Sequence, residues 1–211
     1  MKLIIIGGGD NAGAVIDLIN NNKDNVQIIG ISDDYNVGSY INGYAINLID
    51  KDVINHLHEC KIVISYAKNM KIRKRLYENF TNYKAEFVSI ISKSSYISDT
   101  SNVGFGCIIM PGVVIRNQTS IGDNTLINSN ATVEHGCQVG NHCHIGPGAV
   151  LTGNVIVEDE CFIGANCTIL PDLKISKGCI IGAGSVVTKN VSQNEIWFGN
   201  PARKIKANLG D

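Results

Sequence analysis

The chain has 211 residues, enough for one large domain or two small ones. Its 18 basic and 19 acidic side chains give a formal net charge of −1, so no global basic field attracts nucleic acid or an anionic membrane. No apolar run approaches the roughly 20 residues of a transmembrane helix, and the start lacks the apolar region of a signal peptide. We therefore expect a cytoplasmic protein with no nucleic-acid partner and no membrane insertion.

Residues 1–90 alternate between short apolar runs and helical segments. A strand, a glycine turn, a helix and a further strand follow one another, an order typical of a small, Rossmann-like parallel α/β domain with right-handed crossovers. The predicted strands are Lys2–Ile6, Val26–Ser32, Lys61–Ser65 and Glu86–Ile91, and the predicted helices are Ala14–Asn21 and a segment near Lys71–Phe80.

The first turn matches the loose form of a dinucleotide fingerprint, with Gly7, Gly9 and Ala12 at its spacing and Asp33 or Asp34 at the distance of a ribose contact. Backbone N–H groups and a helix N-terminus in such a turn can hold a phosphate. The domain is too short for the two-halved fold that binds a whole dinucleotide, so we favour a nucleotide or a nucleotide-sugar over NAD. The alternative is a glycine turn required only for packing the helix against the strand.

An aliphatic residue recurs at every sixth position from Ile97 to Val187 without a skip or an insertion. A period of six fits neither a helix nor a single strand, so it indicates an internal repeat. Such hexads are typical of a parallel β-helix, in which each hexad forms one side of a triangular coil and its aliphatic residue points inward. The sixteen positions are Ile97, Val103, Ile109, Ile115, Ile121, Ile127, Val133, Val139, Ile145, Leu151, Val157, Ile163, Ile169, Ile175, Ile181 and Val187.

The residue four positions after each aliphatic is nearly always small or compact, as a second inward-facing site requires. A free cysteine packs there as a small hydrophobe, so we interpret the cysteines at this position as structural. They are six of the seven in the chain, namely Cys107, Cys137, Cys143, Cys161, Cys167 and Cys179. The glycines directly after aliphatic positions are expected at tight corners with positive φ, and these are Gly104, Gly122, Gly140, Gly146, Gly164 and Gly182.

The predicted organisation is therefore an α/β domain over residues 1–90 and a β-helix over residues 91–211 with a C-terminal cap. Trp197 and Phe198 are expected to cover the last coil, which would otherwise expose apolar surface and strand edges.

The segment from Asn128 to Gly148 contains three of the five histidines, which have no packing advantage on a coil of small and aliphatic side chains. His135 lies two residues after the inward Val133 and His144 is the last of its hexad, so both are expected to project outward. Three interpretations compete: His135 is a general base, the three histidines including His142 bind a metal, or all three are exposed polar residues.

The sequence resembles bacterial sugar acyltransferases of the sialic acid O-acetyltransferase and UDP-4-amino-sugar N-acetyltransferase type, and within them the bacillosamine-pathway acetyltransferases. The resemblance covers essentially the whole chain. It is carried by the glycine turn and by the stretches IGISDD, KNMKIRKRL, VEHGC, NHCHIGPGA and FGNPARKI.

The resemblance implies a left-handed parallel β-helix, acetyl-CoA as co-substrate, a nucleotide-sugar acceptor, and a homotrimer with sites between neighbouring β-helices. It places the catalytic histidine at His135, which would deprotonate the acceptor as that acceptor attacks the thioester directly. It places contacts to CoA at His144, Ala165 and Ala183. Contacts to the nucleotide-sugar fall on Gly9, Asp10, Asn11, Asp33 and Asp34.

Two positions depart from the family pattern. The family usually has a carboxylate directly after the catalytic histidine, whereas this chain has Gly136 there and Glu134 on the other side. Adjacent residues on a strand point to opposite faces, so Glu134 is a poor substitute. In the glycine turn, Asp10, Asn11 and Ala12 replace the usual residues, and an acidic Asp10 beside a phosphate is unfavourable.

Because a neutral amine needs less help from a base than a hydroxyl does, Gly136 favours N-acetylation of an amino sugar. O-acetylation of a sugar or a sialic acid is the alternative within the family. From other classes, the alternatives are a metal-dependent hydratase of the β-helical carbonic anhydrase type and a non-catalytic nucleotide-sugar-binding protein.

Overall fold

The computed structural model describes residues 1–208, so residues 209–211 of the predicted second domain lie outside the described residues. The N-terminal part forms a three-stranded parallel sheet in the order β2–β1–β5. In chain order its elements are β1 (Lys2–Ile6), α1 (Asp10–Asn22), β2 (Gln27–Ser32), β3 (Tyr40–Ile41), β4 (Tyr44–Ala45), α2 (Asp50–Val53), a 3₁₀ helix (Ile54–His56), β5 (Lys61–Ile64) and α3 (Met70–Asn82).

β1 is the central strand, and both of its faces are covered. Leu3 and Ile5 belong to the apolar cluster that includes Val15 of α1, whereas Ile4 belongs to the cluster on the opposite face with Phe80 of α3. Burial on both faces explains why β1 is a continuous apolar run instead of an alternating one.

The prediction of one strand over Glu86–Ile91 is wrong. Phe87 makes an isolated parallel bridge to Ile62 beside β5, while the short strand Ile90–Ile91 pairs with Ile108–Ile109 of the second domain. The segment is divided because the chain passes from the edge of one sheet to the first coil of the next domain within a few residues.

The second part is a left-handed parallel β-helix of about six turns, as predicted. Its three faces are parallel sheets of two-residue strands. The first face consists of Ile90–Ile91, Ile108–Ile109, Leu126–Ile127, His144–Ile145, Phe162–Ile163 and Ile180–Ile181, extended by Glu195–Gly199 and Ala202–Ala207. The second face consists of Tyr96–Ile97, Val114–Ile115, Thr132–Val133, Val150–Leu151, Thr168–Ile169 and Val186–Val187. The third face consists of Asn102–Val103, Ser120–Ile121, Gln138–Val139, Ile156–Val157 and Lys174–Ile175.

The interior of the β-helix confirms that the aliphatic positions of the repeat point inward. All sixteen aliphatic positions except Ile97 and Val103 are at most 3% exposed. The cysteines are free and buried, as predicted, and they also donate hydrogen bonds: the Sγ atom of Cys137 lies 3.1 Å from the carbonyl oxygen of Thr152 in the next coil. Thr125 makes the equivalent bond to the carbonyl of Gly140 at 2.9 Å. The inward position therefore selects small side chains that can satisfy a corner carbonyl.

The expected positive φ at the glycines after the aliphatic positions is wrong. The left-handed residues lie two positions further on, and they are Gly106, Gly112, Gln118, Asn124, Asn130, Gly136, His142, Gly148, Asn154, Glu160, Asn166, Asp172, Gly178 and Gly184. The glycines after the aliphatic positions are required for a steric reason instead, because a Cβ there would approach atoms of the next coil too closely. A Cβ on Gly164, for example, would lie 2.6 Å from the amide nitrogen of Ala183 in the next coil.

Arg73 of α3 joins the two domains and is fully buried. Its Nε donates to the carbonyl of Asn124 in the β-helix at 2.7 Å, and its Nη1 donates to the carbonyls of Ile64 and Tyr66 at 2.7 and 2.8 Å. Burial lowers the pKa of Arg73 to about 10. These bonds fix the loop after β5 against the β-helix, and that loop forms one wall of the site described below.

At the C-terminal end, Trp197 is 8% exposed and belongs to the β-helix core, as expected of a cap, whereas Phe198 is 46% exposed and lies against Gly182 on the outside. Among residues 1–208, no helix has the length and apolarity needed to cross a bilayer.

Candidate active site

A cavity of about 810 Å³ lies at the carboxyl ends of β1, β2 and β5. Its walls are the glycine turn with the start of α1, the loops that follow β2 and β5, and one corner of the β-helix. This first corner, between the first and second faces, contributes Met110, Pro111, Asn128 and Ser129. Ligands of parallel α/β sheets bind at this edge, which makes the cavity the candidate substrate site.

The N-terminus of α1 forms one wall, which includes Gly9, Asp10 and Asn11. Gly9 is the N-cap and offers no side chain to accept from the first-turn amides. The amide of Ala12 donates to the carbonyl of Gly9 at 2.8 Å, whereas those of Asp10 and Asn11 are available to an anionic ligand. Asn11 is fixed because its Nδ2 donates to the carbonyl of Ser65 at 2.6 Å.

Asp33 lines the cavity and organises the loop after β2. One carboxylate oxygen accepts from the amide of Gly8 at 2.8 Å, and the other accepts from the amides of Tyr35 and Asn36 and from the Asn36 side chain. Burial opposes ionisation, yet these hydrogen bonds outweigh it and the pKa of Asp33 is lowered.

Asp34, which is also predicted to contact the ligand, is not among the residues that line the cavity. Its side chain is exposed outside the cavity, where it accepts from the amide of Asp50 at 2.9 Å and so caps α2.

The side chain of His144 projects outward from the coil, as its place in the hexad predicts. It is nevertheless only 8% exposed, because the loop after β5 covers it. Its Nδ1 lies 3.1 Å from the carbonyl oxygen of Ala67, which can only accept, so Nδ1 carries the proton. Its Nε2 then accepts from Nδ2 of Asn128 at 3.3 Å. Burial lowers the pKa of His144 to about 4, so the ring is neutral.

The imidazole of His144 thereby connects two walls of the cavity, since Ala67 and Asn128 both line it. A polar contact of His144 with CoA would require the loss of one of these two bonds.

Ala165 and Ala183 lie on the first corner, in the coils beyond Asn128 and Ser129. Glycines stack between them and the cavity: a Cβ on Gly146 would lie 2.8 Å from the amide nitrogen of Ala165. Ala165 is half-buried and Ala183 is exposed. This corner therefore presents a column of backbone and small side chains that leads out of the cavity, which suits a long, narrow ligand arm.

His135 is exposed on the second corner, between the second and third faces, and does not line the cavity. Its carbonyl accepts from the amide of Asn154 at 2.9 Å, and the next amide, of Gly136, donates to the carbonyl of Asn117 at 3.1 Å. Glu134 does not orient the ring, because its carboxylate lies 3.3 Å from the backbone amide of His135 and 3.9 Å from Nε of Arg116.

Gly136 occupies a left-handed position with φ +69°, and a Cβ there would clash with Oδ1 of Asn154. Residue 136 cannot gain a side chain unless Asn154 moves.

Within residues 1–208, no cluster of three or more His, Cys, Asp or Glu side chains has the arrangement of a metal site. Both ring nitrogens of His144 are engaged, by Ala67 and Asn128. Nδ1 of His142 accepts from Asn124 at 3.0 Å. The three histidines of the sequence motif therefore do not converge on one point.

Sequence reasoning missed several residues of the cavity, among them Tyr35, Ser65, Lys68, Asn128 and Ser129. A signal existed for the first three, since they follow the carboxyl ends of β2 and β5, where ligands of parallel sheets bind. Asn128 and Ser129 had none, because only the docking of the two domains brings this corner to the sheet edge.

Comparison with known proteins agrees with this architecture. The family model of the PglD N-terminal domain matches residues 2–80, and the model of the bacterial transferase hexapeptide (six repeats) matches residues 100–134, 118–153 and 154–189. PerB from Caulobacter crescentus, solved in complex with CoA and GDP-perosamine, is 27% identical, with a TM-score of 0.90 and 98% of each chain covered. The acetyltransferase domain of PglB from Neisseria gonorrhoeae, solved in complex with acetyl coenzyme A, is 26% identical, with a TM-score of 0.89 and 97% and 98% covered. WeeI from Acinetobacter baumannii is 28% identical, with a TM-score of 0.87 and 97% and 100% covered.

The β-helix and its repeat define the class of the protein, which is a hexapeptide-repeat acyltransferase. The N-terminal match and the structures of PerB, PglB and WeeI make the chain similar to bacterial sugar N-acetyltransferases of the bacillosamine type, in agreement with the sequence resemblance.

Proposed function

We propose that the protein transfers an acetyl group from acetyl-CoA to the amino group of a nucleotide-linked amino sugar. The observation that carries the proposal is the cavity between the glycine turn and the first corner, in a chain that aligns along 98% of its length with an enzyme solved with CoA and GDP-perosamine. Gly9, Asp10, Asn11 and Asp33 would hold the nucleotide-sugar.

Acetyl-CoA would run along the first corner past Ala165 and Ala183, whose small side chains leave the backbone accessible. The thioester would then meet the sugar where this column joins the cavity, near Asn128 and Ser129. His144 would support this junction from behind through Ala67 and Asn128, in place of the direct contact with CoA that the resemblance implies.

His135 would act as the general base. The neutral imidazole accepts a proton from the amine as the amine nitrogen attacks the thioester carbonyl, the tetrahedral intermediate collapses, and the CoA thiolate leaves. No covalent bond to the protein forms. A neutral amine is already nucleophilic, so a base without an orienting carboxylate suffices for this acceptor.

The cavity and His135 lie on different corners of the same β-helix, one face apart. We propose that a second copy of the chain supplies His135, in a homotrimer whose neighbouring β-helices place the second corner of one protomer against the cavity of the next. A closed three-fold ring gives three equivalent sites, each built from two chains.

The decisive assay follows CoA release from acetyl-CoA with UDP- and GDP-linked 4-amino sugars, and with free sialic acid as the hydroxyl acceptor. We expect turnover with an amino sugar and none with sialic acid; the reverse would favour O-acetylation. His135→Ala should lower kcat by about 10²–10⁴-fold. Near-full activity of this variant would refute the role of His135.

A mixing experiment tests the shared site. Gly9→Trp should fill the cavity, because open space surrounds a Cβ at Gly9 and its φ of −81° suits any residue. Gly9→Trp alone should be inactive, and His135→Ala alone should retain only its low residual rate. Trimers reassembled at random from equal amounts of the two variants should together regain about a quarter of the wild-type activity, because about a quarter of all sites combine an intact cavity with an intact histidine. No recovery in hybrids confirmed by mass spectrometry would show that the site does not span two chains.

A further inference from the structure

The ring of His135 lies against Gly153. Residue 153 occupies the same position of the repeat as residue 135, one coil further along the β-helix. A Cβ built on Gly153 would lie 2.7 Å from Cε1, 2.8 Å from Nε2 and 3.5 Å from Nδ1 of His135. Among the described glycines, Gly153 is the one whose added Cβ would meet an imidazole. The absence of a side chain at residue 153 therefore leaves the space that the ring occupies.

Neither a left-handed backbone conformation nor close contact between the main chains of two coils requires a glycine at residue 153. Its φ lies outside the left-handed region. The corresponding corner positions in other coils carry side chains, with Asn117 one coil before His135 and Pro171 one coil after Gly153. Corner glycines such as Gly122 and Gly140, in contrast, face main-chain atoms of the next coil at 2.6 to 2.9 Å. A side chain at this corner is thus compatible with the fold, and the exception falls opposite His135.

We infer that Gly153 is a positioning residue for the general base: it seats the His135 imidazole on the next coil. This inference rests on the proposed role of His135. The backbone around His135 is fixed to both adjacent coils by the bonds to Asn154 and Asn117. Only the side-chain torsions of His135 remain to be set, and no carboxylate at residue 136 sets them. Packing on Gly153 supplies this orientation instead.

The effect of a side chain at residue 153 is a displacement of the His135 ring. With an alanine at residue 153, the ring must retreat by about 0.7 Å to turn the 2.7 Å approach into ordinary contact at 3.4 Å. A misplacement of a catalytic group by about 1 Å costs on the order of 10²-fold in rate. We therefore expect Gly153→Ala to lower kcat by about 10- to 100-fold, with the KM values for both substrates within about twofold of wild type, because the substrate walls lie on the first corner.

The test is a double-mutant cycle with Gly153→Ala, His135→Ala and the double variant. If Gly153 acts through the ring, Gly153→Ala should cost less than about twofold in the His135→Ala background. Wild-type kcat in Gly153→Ala would overturn the inference, and so would equal losses in both backgrounds. Full activity of His135→Ala would instead refute the proposed base itself, so the two failures are distinguishable.

Thermal unfolding provides a second readout if Gly153→Ala is too unstable to assay. Removal of the ring in the double variant should restore the melting temperature lost in Gly153→Ala, because the added methyl then has space. No recovery would show that the glycine serves the fold and would overturn the inference.

Discussion

His144 should make the stability of the protein depend on pH in the mildly acidic range. In the neutral ring, Nδ1 donates to Ala67 and Nε2 accepts from Asn128. Protonation would place an N–H on Nε2 against the amide N–H of Asn128, whose oxygen already accepts from the amide of Ser129 at 2.8 Å. The charged ring would also be buried. Both effects disfavour the protonated folded state.

The folded-state pKa of about 4 lies below the ordinary value of 6.5. The unfolded chain therefore binds a proton more readily, and stability is fully present above pH 6.5 and falls as the pH drops toward 4. The whole shift corresponds to about 3 kcal/mol, of which about 2 kcal/mol is lost between pH 7.5 and pH 5. For a chain of this size that equals roughly 4–8 °C in melting temperature.

The measurement compares wild type with His144→Gln, by urea unfolding at pH 7.5 and 5.0 and at one fixed protein concentration. The glutamine side chain cannot titrate, so the difference between the two pH values should shrink by about 2 kcal/mol relative to wild type. The other histidines are common to both proteins and cancel. An equal pH dependence in the two proteins, within about 0.5 kcal/mol, would refute the buried neutral tautomer and the physical link it provides between the cavity walls.

Three further outcomes follow from the packing. A thiol reagent at pH 8 should label fewer than about one cysteine in the native protein and all seven in urea, because all seven are buried and burial raises the pKa of Cys107 and Cys137 to about 11; rapid native labelling of several would contradict the core assignment. Gly136→Ala should lower the free energy of unfolding in urea by about 1–3 kcal/mol. Asn154→Gly should relieve part of that loss because it removes the opposing side chain, and strictly additive losses of the two substitutions would argue against the clash. Arg73→Lys should lose at least about 2 kcal/mol, because one ammonium cannot reach the carbonyls of Asn124, Ile64 and Tyr66 together; an unchanged melting temperature would show that the guanidinium fork is dispensable.

The amino-acid sequence alone specifies which residues of the β-helix point inward and how its coils stack. The six-residue period is a local property, since each hexad closes one side of the triangle and three hexads close a coil, so burial of the aliphatic and cysteine positions follows from their numbers alone. The same arithmetic places Gly153 one coil after His135, a signal that was present in the sequence but unused. The period also fixes the position of the left-handed residue at each corner. Glycines occur both there and where two coils come into close contact, so glycine alone does not identify the left-handed position. The predicted position was therefore wrong by two residues.

Which outward side chains remain accessible depends on the tertiary structure. His135 and His144 both project outward from the β-helix, but the loop after β5 covers His144 and leaves His135 exposed. That difference depends on non-local contacts such as those of Arg73 with Asn124, which no periodicity encodes. Docking of the N-terminal domain likewise brings Asn128 and Ser129 to the cavity and leaves His135 one face away. The reason is physical: a repeat specifies its own interior, whereas its outer surface acquires a role only from what packs against it.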